Sequence, residues 1–318
     1  MRVAVVDVGT NSTRLLVADV GDDGCVTELE RRTTITRLGQ GVDRSGELAP
    51  EAMDRVFAAL GAYRALIDER GAQRAIGVLT SAVRDAANGD EFAARVREDL
   101  GIDARTIAGE EEARLTFLGA TCERDGNDDT PIVVIDIGGG STEFIVGAAR
   151  EATFHASTQA GVVRLTERHI ADDPPRGAQL DAVGRDARRL FGDALPEDVR
   201  ASVRAAVAVA GTPTSLGAID QDLESYDSRK VHGHRLSLAA CRRILGLLAS
   251  LPEPERRRVR GLNPDRAPTI VAGAVMLIEA LKAFDLDETE VSEHDILRGA
   301  ALDAVLGAHP GDAPAPAS

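Results

Sequence analysis

The chain has 318 residues, of which 43% are hydrophobic and 28% charged, the composition of a globular protein with room for two domains of ordinary size. A formal charge of −15 excludes a nonspecific hold on nucleic acid or an acidic membrane, although a polyanionic substrate needs only a local positive potential. Aromatic residues make up 3%, so the cores are expected to be Val, Leu, Ile and Ala, and with Lys230 and Lys282 as the only lysines the positive charge falls to Arg.

In chain order, strands are expected at about 2–8 and 14–20, and alternating β-type patterning continues through 25–37. A loop at 36–41 precedes a helix opened by Pro50, with Val56, Phe57, Leu60, Tyr63, Leu66 and Ile67 on one face and Gly71 as its stop. A strand at 75–79 ends in Thr80-Ser81. A helix at 90–100, stopped by Gly101, leads to a strand near 104–107, and another helix starts at Gly109 and runs to about Ala120. The polar stretch 123–130 reads as a connector before an apolar hairpin at 132–147. Beyond a loop at 172–175 come helices at 178–193 and 197–205, and then a strand at 205–210. That strand feeds Gly211-Thr212-Pro213-Thr214-Ser215, an anion nest at a helix N-terminus. Helices at 236–250 and 264–284, a strand at 289–292 and a helix at 295–306 complete a mixed α/β pattern. The Ala, Pro and Gly of 307–318 predict a disordered tail. Cys25, Cys122 and Cys241 match no metal spacing and read as reduced thiols of a cytoplasmic protein, with neither a signal peptide nor an apolar run of membrane-spanning length.

The hairpin at 132–147 is the most informative stretch. Four β-prone residues run into Asp136, Gly138-Gly139-Gly140 and Ser141-Thr142-Glu143. Three glycines let backbone N–H groups converge on an anion. Asp136 and Glu143 would flank that anion and hold Mg²⁺. Residues 5–17 align on 134–146 without gaps: Asp7 on Asp136, Gly9 on Gly138, Ser12 on Ser141, Thr13 on Thr142. Arg14 falls opposite Glu143. Such a repeat suggests two similar domains presenting phosphate hairpins to one cleft.

Three further groups could carry chemistry. Residues 80–88 combine two hydroxyls, suited to capping or to phosphate, with Arg84 in a first helical turn. Glu110, Glu111 and Glu112 suit a helix N-terminus electrostatically, and one facing the cleft would activate water; spacing alone does not choose among them. The run Arg256, Arg257, Arg258, Arg260 and Arg266 is either a solvated face or an attractor for a polyanion. His232 and His234 lack a third ligand at a recognisable spacing, which favours a structural or substrate-contact role over a metal.

With these motifs in order, the chain resembles the exopolyphosphatase / guanosine pentaphosphate phosphohydrolase family of the actin, Hsp70 and sugar-kinase superfamily. The resemblance rests on residues 7–14, 80–88, 109–115 and 136–143, on the 211–215 turn, and on 264–266, 272–273, 292–293 and 298–299, so it covers nearly all of 1–306. It implies two ribonuclease H-like domains flanking a cleft, taken as 1–124 and 125–306, with the last helix able to return to the first domain. It places catalysis on Glu112, the Glu before Ala-Arg-Leu, with Arg84. Phosphate contacts fall on Gly9, Thr10, Asn11, Ser12, Arg14, Gly138, Gly139, Gly140, Ser141, Thr142, Gly211 and Thr212. Asp136, Glu143 and Asp7 are the metal carboxylates, for Mg²⁺ or another hard divalent cation. The substrate it implies is inorganic polyphosphate, with guanosine pentaphosphate as the alternative, and the assembly a homodimer. A phosphotransferase of sugar-kinase type and a non-enzymatic actin-like protein are the remaining readings. The chain resembles short two-domain members, and the helical domain with which longer ones grip long polyphosphate is not expected.

Overall fold

Val3 and Val5 face one side of the first strand and Ala4, Val6 and Val8 the other, and all are buried. This two-sided burial explains why the strand reads as an unbroken apolar run. The computed structural model, which describes residues 1–125 and 127–307, places this strand, β1 (Arg2–Val8), at the centre of a five-stranded sheet. β2 (Ser12–Val20) pairs antiparallel with β1, and β3 (Val26–Ile35) with β2. β4 (Arg74–Leu79) and β5 (Asp103–Thr106) extend the other side in parallel, giving the order β3-β2-β1-β4-β5.

The same plan recurs in the second sheet. β6 (Ile132–Ile137), β7 (Thr142–Ala148) and β8 (Glu151–Thr158) form the antiparallel meander. β9 (Ala205–Val209) and β11 (Glu288–Val291) continue in parallel, with β10 (Arg235–Ser237) added antiparallel at the edge. Val133, Ile135 and Ile137 face the larger core beneath the Gly177–Ala194 and Ile270–Ala283 helices, while Ile132 and Val134 meet Ala113 and Phe117. The Gly109–Thr121 helix therefore lies between the sheets, since its Leu115 belongs to the core on the first sheet. The architecture is two-sheet α/β, of the ribonuclease H-like kind that the motifs imply.

The Ile296–Leu306 helix follows β11 of the second sheet but packs on the first. Ile296, Leu297 and Leu302 are 2%, 0% and 3% exposed against Val3, Val5, Leu16 and Ala18. Each such side chain contributes roughly 1.5–3 kcal/mol on burial, enough to hold the helix there. It crosses the Gly109–Thr121 helix at a glycine contact: a Cβ on Gly299 would fall 1.8 Å from the Leu115 carbonyl oxygen.

Two expectations need correction. The helix expected over 264–284 is a 3-10 turn at Pro264–Arg266 followed by a helix at Ile270–Ala283. Pro268 lacks the N–H and clashes with the preceding turn, so no continuous helix passes it. The helix expected over 197–205 ends at Ser202. β8 and the Val162–His169 helix were not foreseen, because β8 is a mostly exposed edge strand with little apolar signal. Cys25, Cys122 and Cys241 are free thiols, and no described helix is long and apolar enough to cross a membrane. The expected disordered tail lies, from residue 308, outside the described residues.

Candidate active site

The two glycine turns close in the same way and meet. Gly9 N–H donates to Ser12 O and Gly138 N–H to Ser141 O, each at 3.0 Å. A Cβ on Gly139 would lie 2.9 Å from Asn11 Cβ, and one on Gly140 would lie 2.9 Å from Thr10 Oγ1. The second turn is gripped from behind by the Val162–His169 helix. Val162 N–H reaches Gly138 O at 3.0 Å, Val163 N–H reaches Gly139 O at 2.9 Å, and Arg164 Nε reaches Gly140 O at 3.0 Å. Because a trans peptide points its C=O and N–H in opposite directions, these bonds aim the next N–H groups away from the helix. Among the described residues, the N–H groups of Thr10, Asn11, Gly139, Gly140 and Ser141 meet no protein acceptor. That is the arrangement of an anion nest.

Strand register sets the charges. Asp7 faces Arg14 across β1 and β2, whereas Asp136 faces Glu143 across β6 and β7. The first hairpin is thus internally neutralised. The second sets two carboxylates opposite each other, which is unfavourable on its own. Arg14 donates Nε and Nη2 to Asp7 Oδ2, at 2.8 and 2.6 Å, and Nη1 to Asp295. Asp7 Oδ1 is left buried without a hydrogen-bond partner. Glu112, 8% exposed, pairs with Arg84 at 2.9 Å. Glu143 accepts a hydrogen bond from Ser157 Oγ at 3.0 Å.

Asp7, Glu112, Asp136 and Glu143 line one cavity of about 70 Å³ between the turns. Burial raises the proton affinity of all four, against the pull of Arg14 on Asp7 and of Arg84 on Glu112. Asp136 is pushed up to about 7 by burial, with Asp295, Glu112 and Asp7 adding to it. Glu143 rises well above the ordinary range through burial and then through Glu112 and Asp136. Five carboxyl groups, counting Asp295, stand against the guanidiniums of Arg14, Arg84 and Arg266, an excess of two acidic groups. An all-oxygen donor set with that excess, including the orphaned Asp7 Oδ1, fits a hard divalent cation.

Not every expected residue reaches the cavity. Gly9, Thr10, Asn11, Ser12, Gly138, Gly139, Ser141, Gly211 and Thr212 line it. Thr142 does not: its hydroxyl donates to Ala160 O at 2.6 Å, so it anchors the sheet. Gly140 packs on Thr10 and Ser81 instead of lining the cavity. Arg14 lines it too, and three of its five N–H groups are engaged by the carboxylates of Asp7 and Asp295. Of the three glutamates, Glu110 is exposed and Glu111 pairs with Arg114, so Glu112 alone is buried at the cavity. Thr80 caps nothing, and Ser81 Oγ lies 2.8 Å from Thr10 Oγ1.

The arginine run is not one surface. Arg256 is buried on the carbonyls of Leu248, Leu251 and Ala267 beside Asp173, while Arg257 pairs with Glu253 and Arg260 with Asp222. Arg266 alone of the run lines the cavity, over Gly211, where a Cβ would overlap its Nη1 at 1.8 Å. Arg14, Ala210, Gly211 and Arg266 also line a second cavity of about 1170 Å³, so the two are contiguous.

His232 faces this outer cavity with His294 and Glu123. The inward nitrogens of the two rings lie 3.6 and 3.7 Å from Glu123 Oε2. Their outer nitrogens decide the chemistry. His232 Nδ1 accepts Glu293 N–H at 3.3 Å, and His294 Nε2 lies 2.9 Å from an Arg298 N–H. A metal-bound imidazole donates its outer N–H to an acceptor, and here both outer neighbours are donors. The inward nitrogens therefore carry the protons and face the Glu123 carboxylate, which Arg298 also holds at 2.7 Å. His234 turns away to Asp220, at 2.9 Å. Sequence reasoning missed Asp295, which has no motif of its own, and the Val162–His169 helix.

A family model described as the Ppx/GppA phosphatase family matches residues 4–306. Exopolyphosphatase 2 of Mycobacterium tuberculosis is 39% identical over 317 residues, covering 95% of this chain and 98% of its own. A solved exopolyphosphatase-like protein superposes with a TM-score of 0.88 at 34% identity, over 96% of this chain and 98% of that one. The crystal structure of the Aquifex aeolicus family member gives 0.81 at 30% identity, over the same shares. With paired glycine turns, a buried carboxylate cluster and an ungapped repeat all falling within the matched span, the chain belongs to the Ppx/GppA phosphatase family and is a phosphohydrolase.

Proposed function

We propose that the chain is an exopolyphosphatase, hydrolysing the terminal phosphoanhydride of inorganic polyphosphate and releasing orthophosphate. The observation that carries this reading is the meeting of two turns with unbonded N–H groups over a cavity walled by Glu112. Residues 1–124 and 125–306 act as the two domains of the cleft. The terminal phosphate sits on the N–H groups of Thr10, Asn11, Gly139 and Ser141 and of Gly211 and Thr212. Glu112 aligns the attacking water and accepts its proton, a role suited to a buried carboxylate of raised proton affinity. Arg84, which lines neither cavity, holds Glu112 in place from behind and would reach the phosphate oxygens only on moving, while Arg266 supplies a positive charge where the two cavities join. Mg²⁺ held by Asp136 and Glu143, with Asp7 Oδ1 beside them, would offset charge on the transferring phosphoryl group.

A second reading is release of the 5′-terminal phosphate from guanosine pentaphosphate. The outer cavity favours it: it is large enough for a nucleoside, and Glu28, Glu123 and Glu293 stand among its arginines, a mixed lining that suits a base better than a long polyanion. The test is phosphate release from polyphosphates of graded length and from guanosine pentaphosphate, with Mg²⁺ and with EDTA. Mg²⁺-dependent release from polyphosphate, cut by roughly 10²–10⁴-fold in Glu112→Gln, is expected. Release from guanosine pentaphosphate alone selects the second reading. Wild-type rates in Glu112→Gln remove the assignment of the base.

A further inference from the structure

Asp295 lies between β11 and the Ile296–Leu306 helix, 3% exposed, and divides its oxygens. Oδ1 accepts Leu297 N–H at 3.1 Å and caps the helix, while Oδ2 takes Nη1 of Arg14. Arg14 divides itself in turn. Its Nε and Nη2 both fall on one oxygen of Asp7, Oδ2, at 2.8 and 2.6 Å. A guanidinium facing a lone carboxylate ordinarily takes the fork-to-fork arrangement, one oxygen for each of two N–H groups. Here the third nitrogen is drawn to Asp295 and the fork is tilted off. Asp7 Oδ1 consequently stays unpaired although it is buried, in a residue that lines the catalytic cavity beside Asp136. An unmet buried acceptor is unfavourable unless something fills it.

We propose that Asp295 is a positioning residue: by holding one nitrogen of Arg14 it keeps Arg14 off Asp7 Oδ1, and that oxygen stays open to a divalent cation or a water bound to one. The inference rests on the proposed function. It differs from that reading in assigning a task to the residue that opens the last helix. Removing the charge of Asp295 lets Arg14 settle on both oxygens of Asp7 and closes the position.

The experiment uses the full chain and two readouts: calorimetric binding of Mg²⁺ alone, and kcat and KM for phosphate release. Asp295→Asn preserves the helix cap, because Asn serves as well as Asp there, and Asp295→Ser is a second capping variant should the first fold poorly. Both are expected to weaken Mg²⁺ binding by about 10–100-fold and to lower kcat similarly, with KM moved by no more than about twofold. In Arg14→Gln, adding Asp295→Asn should change Mg²⁺ affinity no further, since the effect passes through Arg14. Wild-type Mg²⁺ affinity in Asp295→Asn, multiplicative losses in the double variant, or a wild-type chain that binds no Mg²⁺ each overturn the inference. Should the wild type bind Mg²⁺ in the expected Asp295-dependent way yet release no phosphate, the inference stands and the proposed function falls. Should Asp295→Asn match an active wild type in both readouts, the reverse holds.

Discussion

The opposed carboxylates of the second hairpin make Glu143→Gln the most demanding test of the electrostatics. Glu143 is 3% exposed, faces Asp136 across the strand pair, and is bonded by Ser157, whose hydroxyl a glutamine oxygen accepts equally well. Burial and the facing carboxylates make Glu143 take up a proton on folding, which costs stability at about 1.4 kcal/mol for each unit by which its affinity is raised, so a glutamine that needs no proton should stabilise the metal-free fold by about 2–3 kcal/mol. At about 2–4 °C per kcal/mol for domains of this size, Tm in EDTA at pH 7.5 should rise by about 4–12 °C. The pH dependence has a definite sign. Asp136, at about 7, and Glu143 hold protons in the folded chain at pH values where the unfolded chain has lost them. Metal-free stability should therefore fall as pH rises from about 4 through 7, and less steeply in the variant. Saturating Mg²⁺ should restore the wild type by binding the folded state. It should do so less in the variant, whose phosphate release should drop about 100-fold. A Glu143→Gln chain less stable than wild type in EDTA would refute the reasoning.

Two other substitutions probe the backbone of the site. Ala210 joins β9 to the Gly211–Asp220 helix at φ 71°, ψ −174°, a conformation that favours glycine and costs an alanine about 1–3 kcal/mol. After the entropic cost of glycine, Ala210→Gly should gain about 1 kcal/mol in thermal unfolding, and a loss of stability would contradict the strain. In Gly139→Ala the new methyl would press on Asn11 Cβ at 2.9 Å and on Asn11 N at 3.0 Å. Displacing a turn by a fraction of an ångström should lower phosphate release by about tenfold or more, and unchanged kinetics would mean that the turns do not act together.

Much of this could be read from the sequence because repetition and periodicity are local. The ungapped alignment of 5–17 on 134–146 anticipates two hairpins with matching closures, and buried strands announce themselves as apolar runs. The single charge inversion, Arg14 against Glu143, is also local. Register turns it into one neutral hairpin and one doubly negative hairpin. What remained hidden depends on contacts between distant segments. No spacing shows that Arg14 is shared between Asp7 and Asp295, that Thr142 turns to Ala160, or that Arg266 leaves its neighbours to lie on Gly211. Nor does spacing show which of Glu110, Glu111 and Glu112 helix rotation buries, which is Glu112.

The path of the last helix sets the order in which the molecule can be completed. Val3, Val5, Leu16 and Ala18 are made before the second sheet, but the side chains that cover them, Ile296, Leu297, Ala300 and Ala301, are made after it. Chains tend to fold from the amino end as they emerge, yet this sheet face must wait, covered only in part by Leu115 and its helix, while the whole second sheet is synthesised. A nascent chain stalled before β11 would thus be a candidate for chaperone capture or aggregation, however well its second half had folded.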